Sequence, residues 1–314
     1  MSDDSKQGQG ELPSNKLAAC NLNEIVEPLL SQAYRDFYQL ESDSLQRHEM
    51  IPIQVGAEKV MVQFFYANNA RHQALLCHGY YDHVGIYGHV IEYCLSRGIS
   101  VVTCDQPGHG LSSGARADID SFDRYIEVIR AVRAFACERG FQDHWHILGQ
   151  SMGGSIAMEY AHRSAAGLDA IVLLAPLVRP YGWWLSRWYF SLVKHFIEAR
   201  PRTFTNNADN PAFLSFVRQD PLQPQTLPVT WVQAMVAWFT RFETYPTSGL
   251  SPMIVQGKKD KTVAWRYNFR FLKDRYPGAK WLELPNAGHH LVNENPEIRQ
   301  AMWRFLDQEL AENS

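Results

Sequence analysis

Ser151 stands among glycines in Gly149-Gln150-Ser151-Met152-Gly153-Gly154, after an apolar run and before a helical pattern. A serine on a tight strand-to-helix turn has its hydroxyl lifted above the sheet, where it can attack a carbonyl carbon. Strand and helix cross closely at such a turn, so the positions two before and two after the serine must be small. Gly149 and Gly153 meet that need, and Gly154 permits close packing. Read alone, the pattern also fits an ordinary glycine-rich turn, so the hydroxyl needs partners elsewhere in the chain.

Three further stretches supply candidates. In Asn286-Ala287-Gly288-His289-His290-Leu291 a histidine follows an apolar run, which places it to act as general base. His289 directly follows Ala-Gly and is preferred over His290 as that base. The two adjacent side chains diverge and no acidic cluster accompanies them, so the pair does not read as a metal site. In Gly257-Lys258-Lys259-Asp260-Lys261-Thr262-Val263, Asp260 could reach across to a histidine, fix its tautomer and stabilise the imidazolium. Read alone, that stretch is a solvated Lys-Asp-Lys turn. In His78-Gly79-Tyr80-Tyr81-Asp82-His83, the backbone N–H of Tyr80 can face that of Met152. Two such donors form an oxyanion hole for a tetrahedral intermediate. His78 is expected to hold this loop rather than to move protons.

Each stretch follows a short apolar segment of its own, and those segments must position them. Segments 48–55 and 60–66 read as a strand hairpin turning through Gly56-Ala57-Glu58. Further strands are expected at 74–77, 99–104, 145–148, 170–175, 253–256 and 280–284. Helices are expected at 21–46, 87–97, 122–138, 153–163, 266–276 and 298–310. Short apolar strands alternating with helices imply an α/β fold, a mostly parallel sheet flanked by helices, with ligands at the carboxyl ends of the strands.

The alternation breaks at 179–249, where no clear strand is read. This stretch holds five of the nine tryptophans, and its seven Lys/Arg against four Asp/Glu leave it at +3 while the rest of the chain is at −6. It reads as a helical cap inserted into a core formed by 21–178 and 250–314. Residues 1–20 form a polar tail that lacks the apolar stretch of a secretory signal. The 314 residues suffice for one large domain with an insertion, and a net charge of −3 offers no basic field for nucleic acid. No apolar run approaches the ~18 residues of a membrane span. The five cysteines, with no CxxC pair, suit reduced thiols in a cytoplasmic protein. Aromatics interleaved with Arg187, Lys194 and His195 at 181–196 fit either a lid packed on the core or an interfacial helix in peripheral contact with a membrane.

Together these residues resemble the α/β-hydrolase superfamily, and within it the monoacylglycerol lipase and lysophospholipase branch, also called serine aminopeptidase-like. The similarity covers roughly residues 50–312 and is weakest in the cap. The branch's His-Gly-x-x-Glu-His-x-x-x-Tyr loop corresponds to 78–87, with Asp82 at the glutamate position. Its Asp-x-x-Gly-His-Gly-x-Ser corresponds to 105–112, and its Gly-His-Ser-Met-Gly-Gly elbow has Gln150 for the histidine. The order Ser151, Asp260, His289 is the order of the superfamily's triad.

The resemblance implies hydrolysis of an ester or an amide through an acyl-enzyme that needs no cofactor or metal, and the aromatic cap suits an apolar acyl ester such as a monoacylglycerol or lysophospholipid. Acyl transfer or thioester hydrolysis with the same triad, and ligand binding without catalysis, remain open at this stage. A serine nucleophile disfavours dehalogenase or epoxide-hydrolase chemistry, which needs an aspartate there.

Overall fold

The computed structural model describes residues 28–183 and 197–312. The expected tail at 1–20, the first residues of the 21–46 helix and most of the aromatic, basic stretch at 181–196 lie outside the described residues.

The described helices and strands, in chain order, are α1 (Pro28–Tyr38), β1 (Leu45–Val55), β2 (Glu58–Ala67), β3 (His72–Cys77), α2 (Gly88–Leu95), β4 (Ile99–Cys104), α3 (Asp123–Glu138), β5 (Trp145–Gln150), α4 (Met152–Arg163), β6 (Leu168–Leu174), β7 (Ala199–Pro201), α5 (Pro211–Gln219), β8 (Thr226–Pro228), α6 (Val229–Glu243), β9 (Met253–Gly257), α7 (Trp265–Arg275), β10 (Lys280–Leu284) and α8 (Pro296–Glu312). Eight strands form one sheet in the order β1-β2-β4-β3-β5-β6-β9-β10. β1 and β2 are a hairpin, β2 runs antiparallel to β4, and the remaining pairs are parallel.

Burial explains this order. β4 and β9 are buried at every position, as strands covered on both faces must be. β1 is mostly half-exposed and carries Pro52, which an edge strand tolerates because one side of it needs no ladder hydrogen bond. Alternate strand residues feed two apolar layers. On one face Val62, Leu75, Ile147 and Leu173 pack under α3, α4, α6 and α7. On the other, Met61, Leu76, Leu148 and Val172 pack under α1, α2 and α8.

The chain leaves β3 toward β4 on one side and returns to β5 on the other, so the strand order reverses between β3 and β5. A crevice opens at the carboxyl ends of such a pair, and ligands bind there in open parallel sheets. His78-Gly79-Tyr80 follows β3 and Ser151 follows β5, which puts both stretches at this crevice.

Two expectations need correction. The helix read over 21–46 ends at Tyr38 among the described residues; Gln39 takes a left-handed φ of 54°, and the chain is already in β1 at Leu45. The segment 179–249 does contain strands: β7 and β8 pair antiparallel, with Arg200 opposite Leu227. Each is three residues long and contains a proline, too short for a period-two pattern to emerge. Helix α5 starts as its sequence dictates, with Asn210 Oδ1 accepting from Phe213 N at 3.2 Å and Pro211 in the first turn.

Helix α6 serves two regions. Its Trp238 and Phe242 are buried in the core layer, Trp238 stacked on Phe122 with ring centroids 5.1 Å apart, and Trp238 Nε1 donates to Glu159 Oε2 at 3.0 Å. Its earlier turns, with Trp231, Val232, Met235 and Val236, line a cavity above the sheet.

Candidate active site

Ser151 occupies φ 56°, ψ −115°, a left-handed conformation that costs a non-glycine residue about 1–3 kcal/mol and persists only where surroundings enforce it. Its N–H donates to Leu174 O at 2.9 Å, and its carbonyl accepts from Leu177 N at 3.0 Å. The flanking glycines are sterically required. A Cβ on Gly149 would collide with the backbone of Gly153, and one on Gly153 with the carbonyl oxygen of Cys77. The tight strand–helix crossing inferred from sequence is therefore present, with β3 pressed against the start of α4.

The structure brings Ser151, His289 and Asp260 into one hydrogen-bonded chain. Ser151 Oγ lies 2.8 Å from His289 Nε2, and His289 Nδ1 lies 2.7 Å from Asp260 Oδ2. The carboxylate is fixed in turn: Oδ1 accepts from Thr262 N at 2.8 Å and Val263 N at 3.0 Å, and Oδ2 from Gln256 Nε2 at 3.1 Å. Burial works to raise the Asp260 pKa. The facing imidazole and the two backbone N–H groups more than reverse this and hold it below the ordinary carboxylate value. Asp260 thus stays ionised and acceptor-only, which puts the Nδ1 proton of a neutral His289 on the Asp260 side and leaves the Nε2 lone pair toward Ser151.

The loop after β3 is held from several directions. His78 has Nδ1 2.8 Å from Gly79 O, and its Nε2 accepts from Gln106 N at 2.8 Å. Both nitrogens are committed to backbone, and burial lowers its pKa. It braces the loop, as its sequence context indicated. Tyr87 OH accepts from Gly79 N at 2.7 Å and donates to Asp82 Oδ2 at 2.8 Å. Asp82 also faces His290 Nε2 at 3.2 Å. His290 is therefore turned away from Ser151 toward a carboxylate of its own. Tyr80 directs its ring against Trp231 of α6, with centroids 3.6 Å apart. Met152, fully buried, opens α4 directly after Ser151.

Sequence reasoning did not find the groups that fasten the histidine loop. Asn207 O accepts from both His289 N and His290 N, each at 2.8 Å. Glu294, fully buried, accepts from Gly288 N through Oε1 at 2.5 Å and from Asp209 N through Oε2 at 2.7 Å. Gln150 Nε2 donates to His289 O at 2.9 Å. The segment between β7 and α5 is thus tied to the loop carrying His289. Asn207 acts through its main chain and left no side-chain signal to read. Glu294 had one, a lone acid among apolar and polar turn residues close to a Gly-His-His loop.

Ser151, His289 and Tyr80 open into a cavity of about 780 Å³. Its lining includes the apolar Leu177, Trp183, Trp231, Val232, Met235 and Val236 and the cationic Arg200, Arg202 and Arg218.

The sheet order, the strained serine after β5 and the histidine loop after β10 define a hydrolase of the α/β-hydrolase fold. Residues 68–296 match the family described as serine aminopeptidase, S33, and the chain belongs to that family. A monoacylglycerol lipase of Mycolicibacterium smegmatis is 26% identical over 230 residues, 70% of this chain and 81% of that one. A Bacillus subtilis phospholipase is 35% identical over 103 residues, 32% of this chain and 39% of its own length. Among solved structures, a soluble variant of the Saccharomyces cerevisiae monoglyceride lipase in complex with a substrate analogue superposes with a TM-score of 0.74 at 16% identity, covering 87% of this chain and 97% of that one. These structural likenesses concern the fold. No described helix is long and apolar enough to cross a membrane.

Proposed function

We propose that this chain hydrolyses carboxylic esters of apolar acyl chains, of the monoacylglycerol or lysophospholipid kind, with Ser151 as nucleophile, His289 as general base and Asp260 as its orienting acid. The observation that carries this reading is the unbroken Ser151–His289–Asp260 chain, with links of 2.8 and 2.7 Å, opening into a cavity with apolar lining residues. Its volume lies within the roughly 300–1,000 Å³ common for small-molecule sites. The named activities of the lipase and phospholipase relatives support the same substrate class.

In the proposed reaction, Ser151 Oγ attacks the acyl carbon as its proton passes to His289 Nε2. Asp260 stabilises the imidazolium. The N–H groups of Tyr80 and Met152 receive the oxyanion, an interaction worth about 3 kcal/mol of barrier per donor. Collapse expels the alcohol, which takes the proton from His289. Water then attacks the acyl-enzyme, giving its proton to His289, and the acid departs as Ser151 regains a proton. Segment 179–249 acts as a cap over this site, with α6 as its acyl-binding wall.

The test is hydrolysis of p-nitrophenyl esters from short to long acyl chains by wild type and Ser151→Ala, with fluorophosphonate labelling alongside. The expected result is labelled, active wild type that prefers medium or long chains, and a variant slower by at least ~10³-fold. Wild type that neither turns over any ester nor takes the label would overturn the enzymatic reading in favour of a ligand-binding protein.

A further inference from the structure

The charges lining the Ser151 cavity are unequal in sign. Arg200, Arg202, Arg218 and Lys261 line it, and the one carboxylate among the described lining residues, Asp82, is engaged by Tyr87 and His290. Of the cations, Arg202 is held by aromatic rings and by neutral acceptors. Its guanidinium carbon sits 4.2 Å from the ring centroid of Tyr81 and 4.3 Å from that of Phe204. Its Nη1 donates to Gln223 Oε1 at 2.6 Å and Pro224 O at 3.1 Å. Both acceptors are neutral.

Among the described residues no carboxylate forms an ion pair with Arg202, and its Nε and Nη2 edge has no acceptor. Asp82 and Asp220 act on it only from longer range, and Asp220 is already engaged by His83 at 2.7 Å and Tyr38 at 2.8 Å. Burial works against its charge more than these neighbours favour it. A half-buried guanidinium with one edge anchored and the other uncommitted matches the two-oxygen geometry of a phosphate.

Aromatic contacts place that edge relative to the proposed chemistry. Arg202 stacks on Tyr81, Tyr81 lies 4.2 Å from Tyr80, and Tyr80 lies 3.6 Å from Trp231. This stack runs from Arg202, across the loop that would supply an oxyanion donor, to Trp231 of α6. Tyr81 has a left-handed φ of 70°, a strained conformation for an aromatic residue. An acyl chain against α6 and an ester carbonyl beneath Tyr80 leave the alcohol portion facing Arg202.

We infer that the substrate is an acyl ester whose alcohol portion carries a phosphate, that is, a lysophospholipid, and that Arg202 is its headgroup-recognition residue. This rests on the proposed serine-ester hydrolysis and names its substrate class. A neutral glycerol headgroup would leave the open edge of Arg202 without an anion.

The experiment compares 1-octanoylglycerol 3-phosphate with 1-octanoylglycerol, both below their aggregation concentrations so that surface binding plays no part. Wild type is expected to favour the phosphate ester at least tenfold in kcat/KM. Arg202→Gln should reduce that ratio at least tenfold through KM, and Arg202→Lys should recover part of it, since the charge remains but the fork is lost. Equal wild-type rates on both esters, or an unchanged ratio in Arg202→Gln, would overturn the inference while leaving ester hydrolysis standing. Inorganic phosphate that accelerated the neutral ester to the rate of the phosphate ester would make Arg202 a free-phosphate site and also overturn it. Failure on both esters, with Ser151 unlabelled by a fluorophosphonate, would instead remove the reading beneath it.

Discussion

Gln150 Nε2 donates a 2.9 Å hydrogen bond to the main-chain oxygen of His289, although 139 residues separate them. The residue before the proposed nucleophile thus holds the backbone of the proposed base. Both side chains are buried, and Gln150 sits at the end of β5, the strand that positions Ser151. Replacing it with leucine keeps similar bulk but strands a buried carbonyl, which costs about 1–3 kcal/mol. Gln150→Leu is therefore expected to lower kcat about tenfold with a smaller change in KM, because the Ser151–His289 distance loosens while the acyl wall is untouched. Steady-state kinetics on a medium-chain p-nitrophenyl ester checks this. An unchanged kcat would mean that Asn207 and Glu294 position the loop without Gln150.

Ser151 should be a site where reactivity and stability oppose each other. Its φ of 56° and ψ of −115° suit glycine and strain a side chain. Ser151→Ala and Ser151→Gly both lose the hydroxyl and its contact with His289, so their difference isolates the backbone. Ser151→Gly is expected to unfold at higher denaturant than Ser151→Ala, by about 1 kcal/mol, because relieved strain outweighs the added freedom of the unfolded chain. Urea titrations of the two variants measure it. Equal midpoints would show that the turn accommodates a Cβ without strain.

The strands that build the crevice were legible because they are buried on both faces. β4, Ile99–Cys104, is an unbroken apolar or small-residue run bounded by Gly98 and Asp105, so its place and length could be read directly. Ser151 was legible for a steric reason: only glycine fits at 149 and 153 where β5, α4 and β3 converge, and that constraint is local in sequence. Asp260 could be chosen only with His289 already in mind, because a Lys-Asp-Lys turn looks the same whether solvated or buried beneath a histidine. Trp238 exposed another limit. It counts among the five tryptophans of the inserted stretch, but composition does not say which layer an aromatic ring packs into, and this tryptophan lies in the main core, its Nε1 3.0 Å from Glu159 Oε2. Arg202 and Asn207 sit in irregular chain whose placement comes from pairing with residues far along the sequence, and no pattern announces it.

The buried pair between His83 and Asp220 should make fastening of the insertion depend on pH. His83 Nε2 lies 2.7 Å from Asp220 Oδ2, and both side chains are fully enclosed. Asp220 Oδ1 also accepts from Tyr38 OH at 2.8 Å and Leu222 N at 3.0 Å, so one carboxylate joins the loop after β3, helix α1 and the chain leading to β8. Burial works to raise its pKa, but His83 and these donors prevail and hold it below the ordinary value. A carboxylate depressed in the folded state binds fewer protons there than when unfolded. Its stabilisation is therefore complete above the unfolded pKa of about 4 and is lost as pH falls through the folded value. Asp220→Asn keeps the shape but removes the charge, and should cost about 2 kcal/mol at pH 7, the scale of charge-assisted hydrogen bonds. Urea unfolding of both proteins at pH 7, 5 and 3 tests this. The gap should widen from pH 7 to 5, because the pair raises the His83 pKa and lets the wild-type fold keep that proton. It should narrow at pH 3, as the unfolded wild type protonates Asp220 while the folded carboxylate resists. A gap of constant size down to pH 3 would mean that Asp220 is held by shape and neutral hydrogen bonds, and that its charge does not fasten the insertion.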